Sequence, residues 1–230
     1  VPEGVGRGRR VGPLDSLRFP YRRRPSLPAR RAAYGAAGMG LFKRIALALG
    51  LSKREVKILV VGLDNSGKTT LLNHLKPKKS SSYEVVPTVG FSMETFSKNG
   101  LAFTAFDMSG QGRYRSLWET YYTDVAAIIF VVDATDKIRM CVAKDELEHM
   151  LNHKTLSAVR LPILFFANKM DKPAALTPAE CMEQLALSGI TDKAWHIQAS
   201  CALTGEGVEE GVGWLADHVS KKGGSAGGAG

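Results

Sequence analysis

The segment GLDNSGKT at positions 62–69 constrains the fold more than any other part of the sequence. It follows the apolar run 56–61, and a helical pattern extends from about Lys68 to Leu75. It has the form GxxxxGK[ST], a phosphate-binding loop that joins a strand to a helix. The loop amides and the helix N-terminus favour phosphate oxygens, and the lysine adds a positive charge. The segment therefore predicts a nucleotide phosphate site within an α/β fold.

The later apolar runs alternate with helical patterns, which predicts a mostly parallel, doubly wound sheet with helices on both faces. Asn99-Gly100 lies between two alternating runs and predicts a hairpin, which makes one edge strand of the six antiparallel. The predicted strands cover 56–61, 91–97, 101–106, 126–132, 162–167 and 196–199. The predicted helices cover 68–75, 137–151, 178–187 and 206–219.

The net charge of +9 is concentrated at the start of the chain. Residues 1–38 hold nine arginines, two acidic residues, five prolines and six glycines, so their net charge is +7 and the remainder carries only +2. We expect this leader to be disordered, because it has no regular apolar pattern that could offset its ordering entropy. A targeting segment, a disordered extension and a leader absent from the working protein are all compatible with its composition. Nucleic-acid binding is not expected, because the remainder is nearly neutral.

Residues 39–52 predict an amphipathic helix that suits a membrane surface, with a helix packed on the domain as the alternative. Its apolar face would contain Leu41, Phe42, Ile45 and Leu49. We expect the main domain over 53–222 and a flexible Gly-rich tail over 223–230. The longest apolar run, 126–132, is far shorter than the roughly 20 residues of a membrane span. The three cysteines form no CxxC pair, which argues against a zinc site or a disulfide framework.

A second motif, NKMD at 168–171, follows the predicted strand 162–167 at the carboxyl edge of the sheet, where open α/β folds bind ligands. The Asp171 carboxylate can accept hydrogen bonds from N1–H and the exocyclic amine of guanine. Adenine offers no such pair of donors, so it would leave the charge unpaired. The motif therefore predicts guanine selection. Ala199-Ser200-Cys201-Ala202, after the last strand, is a weaker signal that a plain strand end could also produce.

Further residues predict a hydrolytic site around the phosphates. The hydroxyls of Thr69 and Thr88 can ligate Mg²⁺, and Asp107 can hold the ion through water. Gly110 permits close backbone approach to the γ-phosphate. Gln111 can orient an attacking water, because its amide can donate to phosphate and accept from water together. The predicted phosphate-binding residues are Asp64, Asn65, Ser66, Gly67, Lys68, Thr69, Thr70 and Gly110, with Lys68 and Gln111 catalytic.

Together, GLDNSGKT (62–69), PTVGF (87–91), FDMSGQ (106–111), NKMD (168–171) and ASCA (199–202) resemble the motifs of Arf-like small GTPases. The resemblance covers residue 39 to about residue 222. It implies the P-loop small GTPase fold, GTP as substrate, GDP as product and Mg²⁺ as cofactor. It also implies guanine contacts at Asn168, Lys169, Asp171 and Ala202.

In such relatives three aromatic residues form a nucleotide-sensitive effector patch, and Phe91, Phe106 and Tyr121 occupy the matching positions. For each of these residues, core packing is the alternative role. Most relatives carry Gly-Gly-Gln where this chain has Ser-Gly-Gln at 109–111. Together with LFFANKMD (164–171), that difference resembles a ciliary member of the family that recruits the BBSome coat complex.

The resemblance implies a switch that hydrolyses GTP to GDP and recruits a coat or effector complex to membrane in its GTP state. The expected setting is ciliary membrane-protein trafficking, with the protein cytoplasmic and reversibly bound to membrane at the cilium or basal body. Alternatives are a GTP-gated binding module in which hydrolysis is minor, and vesicle trafficking at the Golgi or endosomes. In the switch regions, the segments that respond to the nucleotide in such relatives, no arginine is obviously placed to reach the γ-phosphate. We therefore expect slow hydrolysis and a separate activating protein. An exchange factor is expected as well.

Overall fold

The computed structural model describes residues 53–76 and 87–224 of the chain. All of these residues belong to one unit of contacts, Phe42–Gly230. The predicted leader 1–38, the predicted helix 39–52 and residues 225–230 of the predicted tail lie outside the described ranges. Within those ranges, no helix combines the length and apolarity needed to cross a membrane.

Six strands form a single sheet in the order β2-β3-β1-β4-β5-β6. They are β1 (Arg54–Val61), β2 (Phe91–Lys98), β3 (Leu101–Met108), β4 (Ala127–Asp133), β5 (Ile163–Asn168) and β6 (Trp195–Ala199). Each neighbouring pair is parallel except the hairpin pair of β2 and β3, which places the antiparallel strand at one edge. The predicted mostly parallel sheet with an antiparallel edge is confirmed.

The described helices are α1 (Lys68–Leu75), α2 (Met140–Asn152), α3 (Lys154–Ser157), α4 (Pro178–Gln184) and α5 (Val208–Gly224), with 3₁₀-helices at Gly112–Tyr121 and Leu187–Gly189. The prediction of a helix from residue 137 was wrong at its start, because the Asp136 carboxylate accepts the Arg139 N–H at 3.1 Å and closes a turn there. The prediction for α5 began two residues early, because Gly205 and Gly207 have positive φ angles. This helix reaches Gly224, so residues 223–224 of the predicted tail belong to it.

Two apolar layers cover the two faces of the sheet. Because side chains alternate along a strand, Ile58 and Val60 of β1 face the layer that contains α1 and α5. Leu59 and Val61 face the opposite layer, which contains the 3₁₀-helix 112–121, α2 and α4. Helices therefore cover both faces, as predicted.

The sheet also determines where the functional loops meet. The predicted strand 101–106 continues to Met108, so Asp107 lies inside β3, opposite Val60 of β1 and Ser92 of β2. This carboxyl group is fully buried. The loops after β1, β3, β4, β5 and β6 all leave the sheet at its carboxyl edge.

Candidate nucleotide-binding site

The loop 62–67 joins β1 to α1 through three residues with positive φ angles, Gly62 (φ 137°), Asn65 (φ 61°) and Gly67 (φ 97°). A Cβ atom at Gly67 would lie 2.3 Å from Nδ2 of Asn168, so a side chain there would collide with the NKMD segment. The glycine thus allows the phosphate loop to pack directly against the predicted base-recognition motif.

The loop borders a cavity of about 250 Å³. The predicted phosphate, magnesium and catalytic residues that line it are Asp64, Asn65, Gly67, Lys68, Thr69, Thr70, Thr88, Gly110 and Gln111. The remaining two, Ser66 and Asp107, are buried beside these lining residues. The structure therefore gathers residues from three distant segments around one space.

Lys68 is held at the cavity by the phosphate loop itself. Its Nζ donates to the carbonyl oxygens of Gly62 at 3.0 Å and Leu63 at 2.7 Å. Burial lowers the pKa of this amine to about 8, against the opposing effect of the Asp107 and Asp64 charges. A phosphate group in the cavity would favour the protonated form, because opposite charges stabilise each other.

Thr69, Thr88 and Asp107 converge as the sequence predicted. Thr69 Oγ1 donates to Asp107 Oδ2 at 2.6 Å and lies 3.0 Å from Thr88 Oγ1. Burial raises the pKa of Asp107. Its Oδ1, like Oγ of Ser66, is buried and has no hydrogen-bond partner among the described residues. A buried oxygen without a hydrogen-bond partner destabilises the folded protein, so a bound ligand that contacts these oxygens would be favourable. The oxygen atoms of Thr69, Thr88 and Asp107 are of the type that could hold Mg²⁺.

Gly110 and Gln111 follow β3 at the same cavity. A Cβ atom at Gly110 would lie 2.2 Å from both the Leu63 carbonyl carbon and the Asp64 nitrogen, so Gly110 is also required for packing on the phosphate loop. Oε1 of Gln111 accepts a hydrogen bond from Nε of Arg113 at 3.1 Å. The carbonyl expected to accept from an attacking water is therefore engaged by a neighbouring arginine in this structure.

Asn168 connects the phosphate loop to the segment after β6. Its Nδ2 donates to the Ser66 carbonyl at 2.7 Å, and its Oδ1 accepts from the Ala202 amide at 2.9 Å and the Ser200 hydroxyl at 3.3 Å. The side chain is almost fully buried. Asn168, predicted as a guanine contact, thus also joins the three motifs to one another.

Lys169 and Asp171 flank this connection. Lys169 has a positive φ of 70°, and its Nζ contacts Oδ2 of Asp133 at the end of β4, at 2.6 Å. Asp171 is exposed, and its Oδ1 accepts from Sγ of Cys201 at 3.3 Å. That hydrogen bond lowers the pKa of Asp171. The carboxylate therefore stays ionised and can accept hydrogen bonds from a nucleobase.

The three predicted patch aromatics form one contact cluster with tilted rings, which we call the aromatic stack. The Tyr121 ring lies 5.4 Å from the Phe91 ring and 4.8 Å from the Phe106 ring. Phe91 is 44% exposed, whereas Phe106 is only 6% exposed and belongs to the core. Phe106 therefore supports the stack from below, and Phe91 presents it to solvent.

Several contacts at the site were missed from the sequence. Arg139, in the turn before α2, donates from Nη1 to Oδ2 of Asp64 at 3.0 Å. Arg115, in the 3₁₀-helix after Gln111, contacts the Gly110 carbonyl and Glu146 of α2. The Arg139–Asp64 contact joins residues far apart in the sequence, so no local pattern predicts it. No spacing rule predicts the contacts of Arg115. The contact of Asp133 with Lys169 could have been found from the sequence. Asp133 ends a strand at the carboxyl edge of the sheet, where the other motifs lie.

Comparison with known proteins gives consistent relatives. The model of the ADP-ribosylation factor family matches residues 42–219. ADP-ribosylation factor-like protein 6 of Danio rerio is 56% identical over 181 residues, which are 79% of this chain and 97% of that protein. The protein of the same name from Caenorhabditis elegans is 44% identical over 183 residues, covering 80% and 96%.

A solved structure is similar over nearly its whole length. It is the Arl6 BBS3 small GTPase from Trypanosoma brucei with the bound nucleotide analogue GppNp. The TM-score is 0.68 at 45% identity, and the match covers 73% of this chain and 98% of that one.

Proposed function

Because the chain belongs to the ADP-ribosylation factor family and is a GTP-hydrolysing small GTPase switch, we propose that it recruits the BBSome coat complex to membrane in its GTP state. The process is ciliary membrane-protein trafficking, and the protein is cytoplasmic with reversible attachment at the cilium or basal body. Two features support this assignment: the similarity to proteins named ADP-ribosylation factor-like protein 6, and the Ser-Gly-Gln sequence at 109–111.

Mg²⁺ is the proposed cofactor, ligated by Thr69 and Thr88 and held through water by Asp107. When bound, it would neutralise charge on the phosphate oxygens. Lys68 binds the terminal phosphates, and Gln111 orients the attacking water once its carbonyl is released from Arg113. Asp171 selects guanine through its two acceptor oxygens, while Asn168, Lys169 and Ala202 complete that subsite.

The observation that carries the recruitment proposal is a backbone link between the phosphate cavity and the aromatic stack. The Ser109 amide donates to the Gly90 carbonyl at 2.9 Å. Gly90 is next to Phe91 of the stack, and Ser109 is next to Gly110 of the cavity. A γ-phosphate that draws in Thr88 and Gly110 would therefore move Phe91 and Tyr121 with them, which makes the exposed patch sensitive to nucleotide.

The remaining parts of the proposed cycle come from other molecules and from the N-terminal segment 39–52. An exchange factor loads GTP, and an activating protein accelerates hydrolysis. In this proposal the segment 39–52, which the sequence predicts to be an amphipathic helix, provides the membrane contact in the GTP form. Slow intrinsic turnover is expected, because Arg113 and Arg115 both bind protein groups in this structure.

The test uses the full chain loaded with GppNp or GDP, liposomes containing anionic lipid, and the purified BBSome, with co-sedimentation as the readout. We expect recruitment in the GppNp form and an affinity about tenfold lower for Phe91→Ala, since an interface aromatic commonly carries that much binding energy. Val159→Ala is the matched control, because Val159 is 41% exposed but lies outside the stack. It should recruit normally.

Equal recruitment by the GDP form would contradict the proposal, as would normal recruitment by Phe91→Ala. If the protein retained a Golgi or endosomal coat in place of the BBSome, its function would be assigned to that trafficking route. If Gln111→Leu loses hydrolysis while its recruitment still cycles normally in cells, hydrolysis is minor and the protein acts as a GTP-gated binding module.

A further inference from the structure

The peptide segment 109–111 is fixed at most of its polar groups. Nε1 of Trp118 donates to the Ser109 carbonyl at 3.1 Å, and the Gln111 amide lies 3.4 Å from Oγ of Ser109. Since Trp118 is buried in the core, this hydrogen bond fixes Ser109 to the core. The Gly110 carbonyl is one bond from the Gln111 nitrogen, so whatever holds that carbonyl also sets the direction in which Gln111 leaves the sheet.

Arg115 holds that carbonyl. Its Nε donates to the Gly110 oxygen at 3.0 Å, and its Nη1 donates to Oε1 of Glu146 at 2.6 Å. Its Nη2 lies 4.0 Å from Oδ1 of Asp64. The Arg115 side chain is 17% exposed, so water screens these contacts less than those of a surface pair. One guanidinium thus connects the segment 109–111, α2 and the phosphate loop.

The chemistry of this contact suits arginine and no smaller cation. A guanidinium presents several N–H donors in a rigid plane, so it can bind a carbonyl and two carboxylates in different directions at once. A lysine ammonium in the same place keeps the charge but lacks that planar array. The arrangement therefore fixes an orientation as well as neutralising Asp64 and Glu146.

We propose that Arg115 is a positioning residue for GTP hydrolysis, which acts by fixing the Gly110–Gln111 peptide against the phosphate loop and α2. The proposal rests on the role assigned to Gln111. Arg115 does not border the cavity, so it acts on turnover and not on nucleotide capture. Its loss should lower kcat by about 10- to 100-fold, since small displacements of a catalytic group have effects of that size.

The experiment measures single-turnover GTP hydrolysis and nucleotide affinity in the full chain with Mg²⁺. Arg115→Ala should lower kcat while the Kd for GDP stays within about twofold. Arg115→Lys should recover only part of the loss, and added guanidinium ion should partly restore Arg115→Ala. Lys144→Ala removes another α2 pair, Lys144–Glu148, and should match the unmodified protein.

A double-mutant comparison separates positioning from general destabilisation. If Arg115 acts through Gln111, adding Arg115→Ala to Gln111→Leu should not lower further the residual single-turnover rate that Gln111→Leu retains, because the two effects share one route. Independent, additive losses would overturn the proposal, and so would an unchanged kcat in Arg115→Ala. Should Arg115→Ala fail to fold, the same comparison with Arg115→Lys decides the question by the same criteria. Absence of hydrolysis in the unmodified protein would instead refute the role of Gln111 itself.

Discussion

The phosphate half and the base half of the nucleotide site are built in different ways. In the phosphate half, Oδ1 of Asp107 and Oγ of Ser66 are buried and lack a hydrogen-bond partner among the described residues. The Lys68 ammonium there is held by loop carbonyls. In the base half, the Asn168 side chain donates once and accepts twice within the protein. The base half is organised by the chain alone, while the phosphate half has polar groups that a ligand would satisfy.

This difference suits the two halves to different tasks: the base half recognises guanine, and the phosphate half responds to the phosphates of the nucleotide. In the base half, Asn168 is held by hydrogen bonds within the protein before the ligand arrives, so this part of the subsite needs little rearrangement to bind a base. A phosphate subsite with unsatisfied groups gains more from its ligand, and can therefore change conformation when a phosphate is added or lost. The link between Ser109 and Gly90 lies on the phosphate side, where such a change would reach the aromatic stack.

The largest expected effect tests discrimination in the base half. Asp171→Asn should weaken GDP binding by about 10³-fold or more, because an amide cannot accept from both guanine donors and leaves them mismatched. Xanthosine diphosphate should bind this variant better than GDP does, since the xanthine oxygen can accept from the new amide. The measurement is competition between the two nucleotides. Asp145→Asn, an exposed change on α2, should keep the original preference, and a variant Asp171→Asn that still prefers GDP would contradict the assignment.

The next effect concerns the junction between the halves. Asn168→Ala removes the bond to Ser66 and the acceptor for Ala202, both of them buried. Leaving such groups unpaired costs about 1–3 kcal/mol each, so GDP should dissociate about 100-fold faster. Stopped-flow displacement of a fluorescent GDP measures this rate. Asn152→Ala, exposed at the end of α2, is the control, and an unchanged rate in Asn168→Ala would show that the halves hold their positions independently.

A smaller effect belongs to the phosphate half and depends on pH. The pKa of Lys68 is lowered to about 8 by burial, and bound phosphate should raise it. Binding then takes up a proton between the free and bound values, so GDP affinity should fall above pH about 8, by at most about tenfold per pH unit. Below that range the amine is protonated in both states and the dependence should vanish.

Calorimetry of GDP binding in buffers with different ionisation enthalpies measures that proton uptake. Lys68→Arg should abolish it, because a guanidinium stays charged. Lys172→Arg, which changes an exposed lysine beside Asp171, should leave it intact. Proton uptake that persists in Lys68→Arg would assign the titration to another group.

Local motifs made much of this site predictable. The phosphate loop, the strand before NKMD and the hairpin at Asn99-Gly100 each depend on residues close together in the chain, so their patterns are visible in the sequence. Asp107 was assigned to the same magnesium site as Thr69 from its position after the predicted strand 101–106, without any contact being known. The mostly parallel sheet followed from the alternation of strands and helices, and its antiparallel edge followed from the hairpin. The order of the strands was not predicted and is known only from the structure.

The unpredicted contacts depend on tertiary placement. Arg139 contacts Asp64 across 75 positions of sequence, and its own place depends on a turn closed by Asp136. That turn also moved the start of α2, since a side-chain acceptor replaced the first helical turn. In the sequence, Cys201 belongs only to the weak motif ASCA at 199–202. Its contact with Asp171 requires β5 and β6 to lie side by side, which only the assembled sheet defines.

The smallest expected effect concerns that cysteine and sharpens the contrast within the base half. Cys201→Ala removes the thiol contact to Oδ1 of Asp171. Because the carboxylate is exposed and sulfur is a weak donor, we expect the Kd for GDP to rise only by about two- to fivefold. Cys201→Ser keeps a donor and should stay close to the unmodified protein. Cys141→Ala, at an exposed thiol on α2, is the control.

Inosine diphosphate distinguishes orientation of Asp171 from a general loosening of the site. Hypoxanthine lacks the exocyclic amine of guanine, so it forms one of the two expected bonds to Asp171. If Cys201 orients the carboxylate for both bonds, the ratio of the inosine diphosphate Kd to the GDP Kd should fall in Cys201→Ala. An unchanged ratio with both affinities reduced would mean that the thiol only packs the loop. The base half would then owe its discrimination to Asp171 and Asn168 without help from Cys201.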